Sequence, residues 1–198
     1  MDGMKQHPEL KEQLWYETAL QDGIVWYHGE VNISRTALCT YALAQVAKEK
    51  GKAILAINSE GGDVAQGLMM HDFVISLRKQ GYKVDTFGIG EVCSMALIIL
   101  QAGERRILAP NTIVLLHEIA SWAVGKISEQ QDTMAMLKKL EDRILAILSE
   151  RSGRSRHKIR KLMERRDYWM TADEAVKLGF ADEVSDKICV VAPPEAEK

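Results

Sequence analysis

Cysteine is scarce and unpaired in this chain of 198 residues. Cys39, Cys93 and Cys189 are scattered and odd in number. No Cys-x-x-Cys pair occurs, so neither a zinc site nor a disulfide framework is indicated. A reducing compartment is the expectation. An excess of one charge is also missing: 26 Lys and Arg stand against 28 Asp and Glu, a formal net charge of −2. That balance gives no support for nucleic acid or a membrane surface as the main partner. The longest apolar runs fall far short of the ~20 residues that span a bilayer. Met1 to Glu12 is polar and charged and has no apolar signal-peptide centre. A soluble, cytoplasmic protein is expected.

Several signatures are absent as well. There is no P-loop and no Gly-x-Gly-x-x-Gly fingerprint. The Gly-x-Ser-x-Gly elbow of α/β-hydrolases fails at Ser94, because Val92 and Ala96 occupy the glycine positions. No low-complexity linker or internal repeat divides the chain. Its length suits one domain with a sizeable core.

What is present is an alternation of strand and helix patterns. Ile24 to Tyr27 reads as a strand. Ile33 to Lys50 has helical apolar spacing and stops at Gly51. Ala53 to Ile57 reads as a buried strand, Asn58 to Gly62 as a loop, and Asp63 to Lys79 as a helix. Val84 to Ile89 is the next strand and Ser94 to Ala102 the next helix. Arg106 to Leu108 and Thr112 to Leu116 are short strands, and Glu118 to Lys126 is a loop. Ser128 to Ser152 is a long helix, opened by a Ser-x-x-Gln capping box and closed by Gly153. Ser155 to Arg166 is a basic helix, and the charged run from Arg151 to Arg166 reads as a solvated helix face. Thr171 to Glu174 is a second capping box, on a helix that closes at Gly179. The alternation predicts an α/β fold with a largely parallel sheet.

Active sites in such folds gather at the carboxyl ends of strands. Gly61-Gly62, Ser94 and His117 each follow such an end. Ser94 lies between a strand and an apolar helix, where free N–H groups favour a negative oxygen. Acyl transfer by a serine needs that setting. A serine is a weak nucleophile until a base takes its proton. His7 and His157 lie in polar or basic segments, His71 within a helix, and His28 after the first strand. His117 alone ends a nearly all-apolar strand, and its placement beside Ser94 and the Gly pair favours a catalytic reading over a structural one. Gly61-Gly62 is either a tight turn or a close backbone approach with the Gly62 N–H aimed at a carbonyl oxygen. Cys93, next to Ser94, reads as a small buried filler rather than a reactive thiol. Pattern does not choose an acid to orient the imidazole; Asp167, at a helix end beside aromatics, reads on its own as a helix-terminus or salt-bridge residue.

At these residues the chain resembles the ClpP family of serine peptidases. The matching pieces are Ile57-Asn-Ser-Glu-Gly-Gly62, Cys93-Ser-Met-Ala96, Leu108-Ala-Pro-Asn111, Leu115-Leu-His117, Arg166-Asp-Tyr-Trp-Met-Thr-Ala-Asp-Glu-Ala175 and Gly179-Phe-Ala-Asp-Glu-Val184. Their order and spacing match over residues 16–185, which sets off an N-terminal segment, 1–15, and a tail, 186–198. The resemblance implies a triad of Ser94, His117 and Asp167. It implies an oxyanion hole from the N–H groups of Gly62 and Met95, and substrate pairing beside Asp63 and Val64. It implies a ClpP/crotonase-like spiral of ββα units with a long protruding helix, for which Ser128 to Ser152 fits. It implies self-association into two stacked rings of seven, a tetradecamer around a chamber, fed with unfolded chains by a hexameric AAA+ ATPase. No cofactor and no metal is implied.

The chain departs from that pattern in four places. Glu60 replaces the proline usual before the Gly pair. The loop after His117 lacks the family's Gln-Pro and Gly-Gly. The stretch from the Gly pair to Ser94 is longer than usual. Met1 to Leu14 does not resemble the loops that face the ATPase. Three other readings compete. A crotonase-type enzyme acting on an acyl-CoA shares the spiral fold but needs no Ser-His-Asp set. A non-catalytic ring subunit typically lacks triad residues. A Ser-Lys peptidase would need a lysine, of which Lys126 is the nearest after His117.

Overall fold

The computed structural model describes residues 17–19, 21–120 and 125–188. The expected N-terminal segment, Cys189, the end of the tail and the middle of the loop after His117 lie outside the described residues. Seven strands and six helices follow one another among the rest. The strands are β1 (Ile24–His28), β2 (Lys52–Ser59), β3 (Lys83–Cys93), β4 (Arg106–Leu108), β5 (Ile113–Leu116), β6 (Tyr168–Thr171) and β7 (Glu183–Val184). The helices are α1 (Ile33–Lys50), α2 (Val64–Lys79), α3 (Met95–Leu100), α4 (Ile127–Ser152), α5 (Arg156–Met163) and α6 (Ala172–Lys177). Strand order is β1-β2-β3-β4-β7, with β5 pairing β3 and β6. Every pairing is parallel except β5 with β6. This is the mixed α/β fold with a mostly parallel sheet that the alternation predicts.

Local chemistry explains the first helices. The Asn32 side chain accepts from the Arg35 N–H at 3.1 Å and opens α1. Gly51, at φ 71, closes it with its N–H on the Ala47 carbonyl. Asp63 opens α2 in the same way, accepting from the Gln66 N–H at 2.8 Å. The main core lies where α1, α2 and α3 cover one face of the sheet. Side-chain alternation along β2 divides it between the two faces: Ala53, Leu55 and Ile57 enter the main core. Ile54 joins Phe87 and Ile107 in a smaller cluster.

The largest difference from the sequence reading is β3. It runs to Cys93 instead of Ile89, because Gly88 and Gly90 mark a bulge and not an end. Ile57 pairs Gly88, and the next ladder pair is Ser59 with Val92. Gly90 takes φ 75 in the extra stretch. The bulge lets one strand serve two neighbours: residues 86–88 pair β4 and residues 91–93 pair β5.

Smaller corrections concern helix ends. α4 starts one residue before Ser128, and its cap is Lys126, whose N–H donates to the Glu129 carboxylate at 3.0 Å. Lysine has no acceptor, so only half of a capping box forms, and the expected Ser128 box does not. α5 stops at Met163, three residues before Arg166, and Arg165 takes φ 56. The run from Arg151 to Arg166 is more than a solvated face. Arg151 donates to the Gly103 carbonyl at 2.8 Å and Arg154 to that of Leu178 at 2.6 Å. The Thr171 box forms as expected, with Glu174 accepting from the Thr171 N–H at 2.9 Å. In α4 only Ile144, Leu145 and Leu148 are buried, so its first half stands clear of the core. Among the described residues no helix is long and apolar enough to cross a membrane.

Candidate active site

Ser94 occupies the single-residue junction between β3 and α3. Cys93 ends the strand buried and paired to Leu115, and Met95 begins a helix whose six residues are all buried. Burial of Leu97, Ile98, Ile99 and Leu100 stabilises that helix by roughly 1.5–3 kcal/mol per side chain. Strand and helix are both held in the core, so one residue must reverse the chain. Ser94 does so at φ 54 and ψ −120. A non-glycine residue there stores about 1–3 kcal/mol of strain, which the buried flanks sustain. The Ser94 N–H donates to the Leu115 carbonyl at 2.9 Å. Its hydroxyl makes no capping bond, and the side chain is half-buried.

The Gly pair is a close approach, not a plain turn. A Cβ on Gly61 would lie 2.6 Å from the Ser94 Cβ and 2.8 Å from the Cys93 carbonyl oxygen. A Cβ on Gly62 would lie 2.5 Å from the Val31 carbonyl oxygen. Each glycine therefore lets a different segment of backbone close in. Val31 donates to the Gly61 carbonyl at 2.7 Å, and the Asp63 N–H donates to Val31 at 2.8 Å. In such a bridge the N–H and C=O of the middle residue point to the other side. Gly62 is that residue, and it is exposed. Met95 is the first residue of α3, so its N–H has no acceptor within the helix.

A cleft of about 340 Å³ brings most of the candidates together: Gly62, Val64, Ser94, Met95 and His117 all line it. Ile98, Leu116 and Ile144 form its buried apolar part, and Glu30, Glu60 and Glu118 its exposed part. Among the described residues no Lys or Arg lines it, and Lys126 stands at the start of α4, which gives a Ser-Lys dyad no support. Asp63 is not in the lining, and its N–H and carboxylate are already engaged.

Asp167 stands apart from the cleft lining and is exposed. The antiparallel ladder ends with Leu116 paired to Tyr168, and His117 and Asp167 are the next residues beyond that pair. The one histidine–carboxylate contact between described residues is that of His71 with Asp72, at 2.9 Å. His117 and Asp167 thus each flank the last paired residues of the ladder, without a side-chain bond between them. Around Asp167 the chain is pinned by Arg166, whose Nε donates to the Leu162 carbonyl at 2.8 Å. The guanidinium lies 5.4 Å from the Tyr168 ring centre.

Burial pushes the Cys93 thiol up to about 11, and the charges of Glu91 and Glu60 add to that. It stays protonated at neutral pH, as a filler would. The sequence reading missed several parts of the site. Ile144 reaches the cleft from α4, and Val31 anchors the Gly pair. Gly67 lies against Met95, and a glycine inside a helix pattern was the one available signal.

A hydroxyl on a strained turn, an imidazole in the same cleft and two N–H groups without acceptors can together perform acyl transfer. Comparison with known proteins agrees with that chemistry. The family model described as Clp protease matches residues 7–188. The ATP-dependent Clp protease proteolytic subunit 2 of Tropheryma whipplei (strain Twist) is 31% identical over 180 residues, covering 87% of this chain and 96% of its own. With the family match spanning nearly the whole chain, this protein belongs to the Clp protease family of serine-type peptidases.

Proposed function

We propose that this chain is the proteolytic subunit of a chambered endopeptidase that cuts peptides and unfolded proteins through Ser94, His117 and Asp167. His117 takes the hydroxyl proton as the Ser94 Oγ attacks the scissile carbonyl carbon. The carbonyl oxygen becomes an oxyanion that accepts from the N–H groups of Gly62 and Met95. The imidazolium gives its proton to the leaving amine as the C–N bond breaks, and an acyl-enzyme remains on Ser94. Water then attacks the ester, His117 takes its proton, and the Ser94 oxygen leaves and is reprotonated. Asp167 orients the imidazole and stabilises its charged form; its place next to Tyr168, the partner of the Leu116 that precedes His117, supports that role. Such bonds are often loose before substrate binds and tighten in the complex.

The substrate lies extended beside Gly62 and Val64, since the intervening Asp63 N–H is held by Val31. Self-association into stacked rings of seven is supported by α4, which carries exposed Ile127, Met134 and Met136 away from the core. An AAA+ ATPase as unfolding partner is supported by the name of the Tropheryma relative, which is an ATP-dependent proteolytic subunit.

The observation that carries the reading is the strained Ser94 turn sharing one cleft with His117. A fluorophosphonate probe and a short fluorogenic peptide test it. The expected result is labelling and hydrolysis in the wild type and neither in Ser94→Ala. Labelling that survives in Ser94→Ala overturns it.

A further inference from the structure

Helix α2 contains a glycine, Gly67, at a buried interior position. Glycine weakens a helix there relative to alanine, and its conformation is ordinary: it takes no positive φ. What it permits is contact. A Cβ built on Gly67 would meet the side chain of Met95 alone among its nearest neighbours. It would lie 3.1 Å from the Met95 Cβ, 3.4 Å from its Cγ, and closer still to its terminal Cε. The thioether of Met95 is thus folded into a notch in α2 that exists only because residue 67 has no side chain.

Met95 follows Ser94 directly, is 2% exposed, and lines the cleft. It therefore stands between the notch and the cleft. A methionine is unbranched and adapts to either. We propose that Gly67 is a specificity-determining residue, which seats Met95 in the notch and so keeps the apolar part of the cleft open to a bulky side chain on the residue that supplies the scissile carbonyl. Filling the notch forces the thioether toward Ile98 and Leu116, and the space left beside Ser94 takes only a small side chain. This rests on the peptidase reading above.

The test compares fluorogenic peptides that differ only at that residue, with Leu, Phe or Ala. In Gly67→Ala, kcat/KM for the Leu and Phe peptides should fall roughly 10–200-fold, the range for one methylene's misfit in an apolar pocket. The loss should sit mainly in KM. The Ala peptide, and labelling by a small fluorophosphonate, should stay close to wild type. In the Gly67→Ala/Met95→Ala double variant, the Leu-to-Ala selectivity ratio should return to the wild-type value or beyond. Met95→Ala alone, with Gly67 untouched, should shift preference toward Phe. An equal loss on all three peptides, or a selectivity ratio that the double variant does not restore, overturns the proposal. An unchanged preference in Met95→Ala overturns it even if Gly67→Ala does not fold. A wild type that neither hydrolyses nor labels refutes the peptidase reading instead.

Discussion

Gly61→Ala should disable the site more than it destabilises the fold. Gly61 has φ 98, and the new methyl would sit 2.6 Å from the Ser94 Cβ and 3.2 Å from the Met95 nitrogen. Carbon atoms settle near ~3.5–4.0 Å, so roughly 1 Å must open between the Gly pair and the Ser94 turn. Backbone strain contributes about 1–3 kcal/mol, and overpacking a similar amount. The total of roughly 2–6 kcal/mol corresponds to about 4–24 °C in Tm for a chain of this size. A displacement of about 1 Å between reacting groups costs on the order of 100-fold in rate. Gly51→Ala is the control: Gly51 has φ 71 but nothing within 4 Å of a new Cβ. It should lose only the left-handed penalty of about 1–2 kcal/mol and keep its activity. The assay pairs thermal unfolding at fixed protein concentration with the rate of fluorophosphonate labelling. If Gly61→Ala labels at the wild-type rate, the close approach does not position Ser94, and the reasoning fails.

Other residues give further tests. If Asp167 orients the imidazole as proposed, Asp167→Asn should lower kcat on the order of 10⁴-fold with unchanged circular dichroism; wild-type turnover would remove Asp167 from the proposed triad. Burial alone would raise the Asp182 pKa, but its hydrogen bonds from Arg106 and that residue's charge outweigh this and hold it below the ordinary value. Its contribution to stability is therefore complete above the unfolded pKa of about 3.9 and is lost as pH falls further. Arg106 is 4% exposed, so Asp182→Asn leaves a buried charge half-paired and should cost roughly 3 kcal/mol at pH 7, the low end for a buried pair since Asp182 is partly exposed. The variant should also lose less stability than the wild type between pH 5 and 3, checked by urea unfolding across that range. Cys93 should resist iodoacetamide at pH 8 in the native protein and react after denaturation, since burial holds its thiol up to about 11.

The legible parts of the sequence were those whose cause is local. The α1 boundaries follow from Asn32 and Gly51, and the structure keeps both. The β2 run is apolar at nearly every position because both faces are covered. Ser94 and His117 stood out as candidates because each ends a strand pattern in an open parallel sheet. What escaped was decided by distant partners. β6 has four residues with no period of their own, and it forms because β5 supplies an antiparallel neighbour. The bulge in β3 hid behind two glycines that read locally as a stop. Gly67 marks a helix-to-helix contact that no local pattern contains.

Asp167 brings these points together. Read locally it follows a basic helix and precedes two aromatics, and nothing ranks it above the other acidic residues. Its position acquires meaning only through the pairing of β5 with β6, which counts back from Leu116 and Tyr168 to His117 and Asp167. That pairing depends on β5 having been placed beside the second half of β3. The second half of β3 exists as a strand only because of the bulge at Gly90. The same stretch delivers Ser94, whose N–H is held by the Leu115 carbonyl. One irregular strand thus sets the place of the proposed nucleophile directly and that of the proposed base and acid through its neighbours. Altering the length of the bulge should move all three together, while a change confined to β6 should move Asp167 alone.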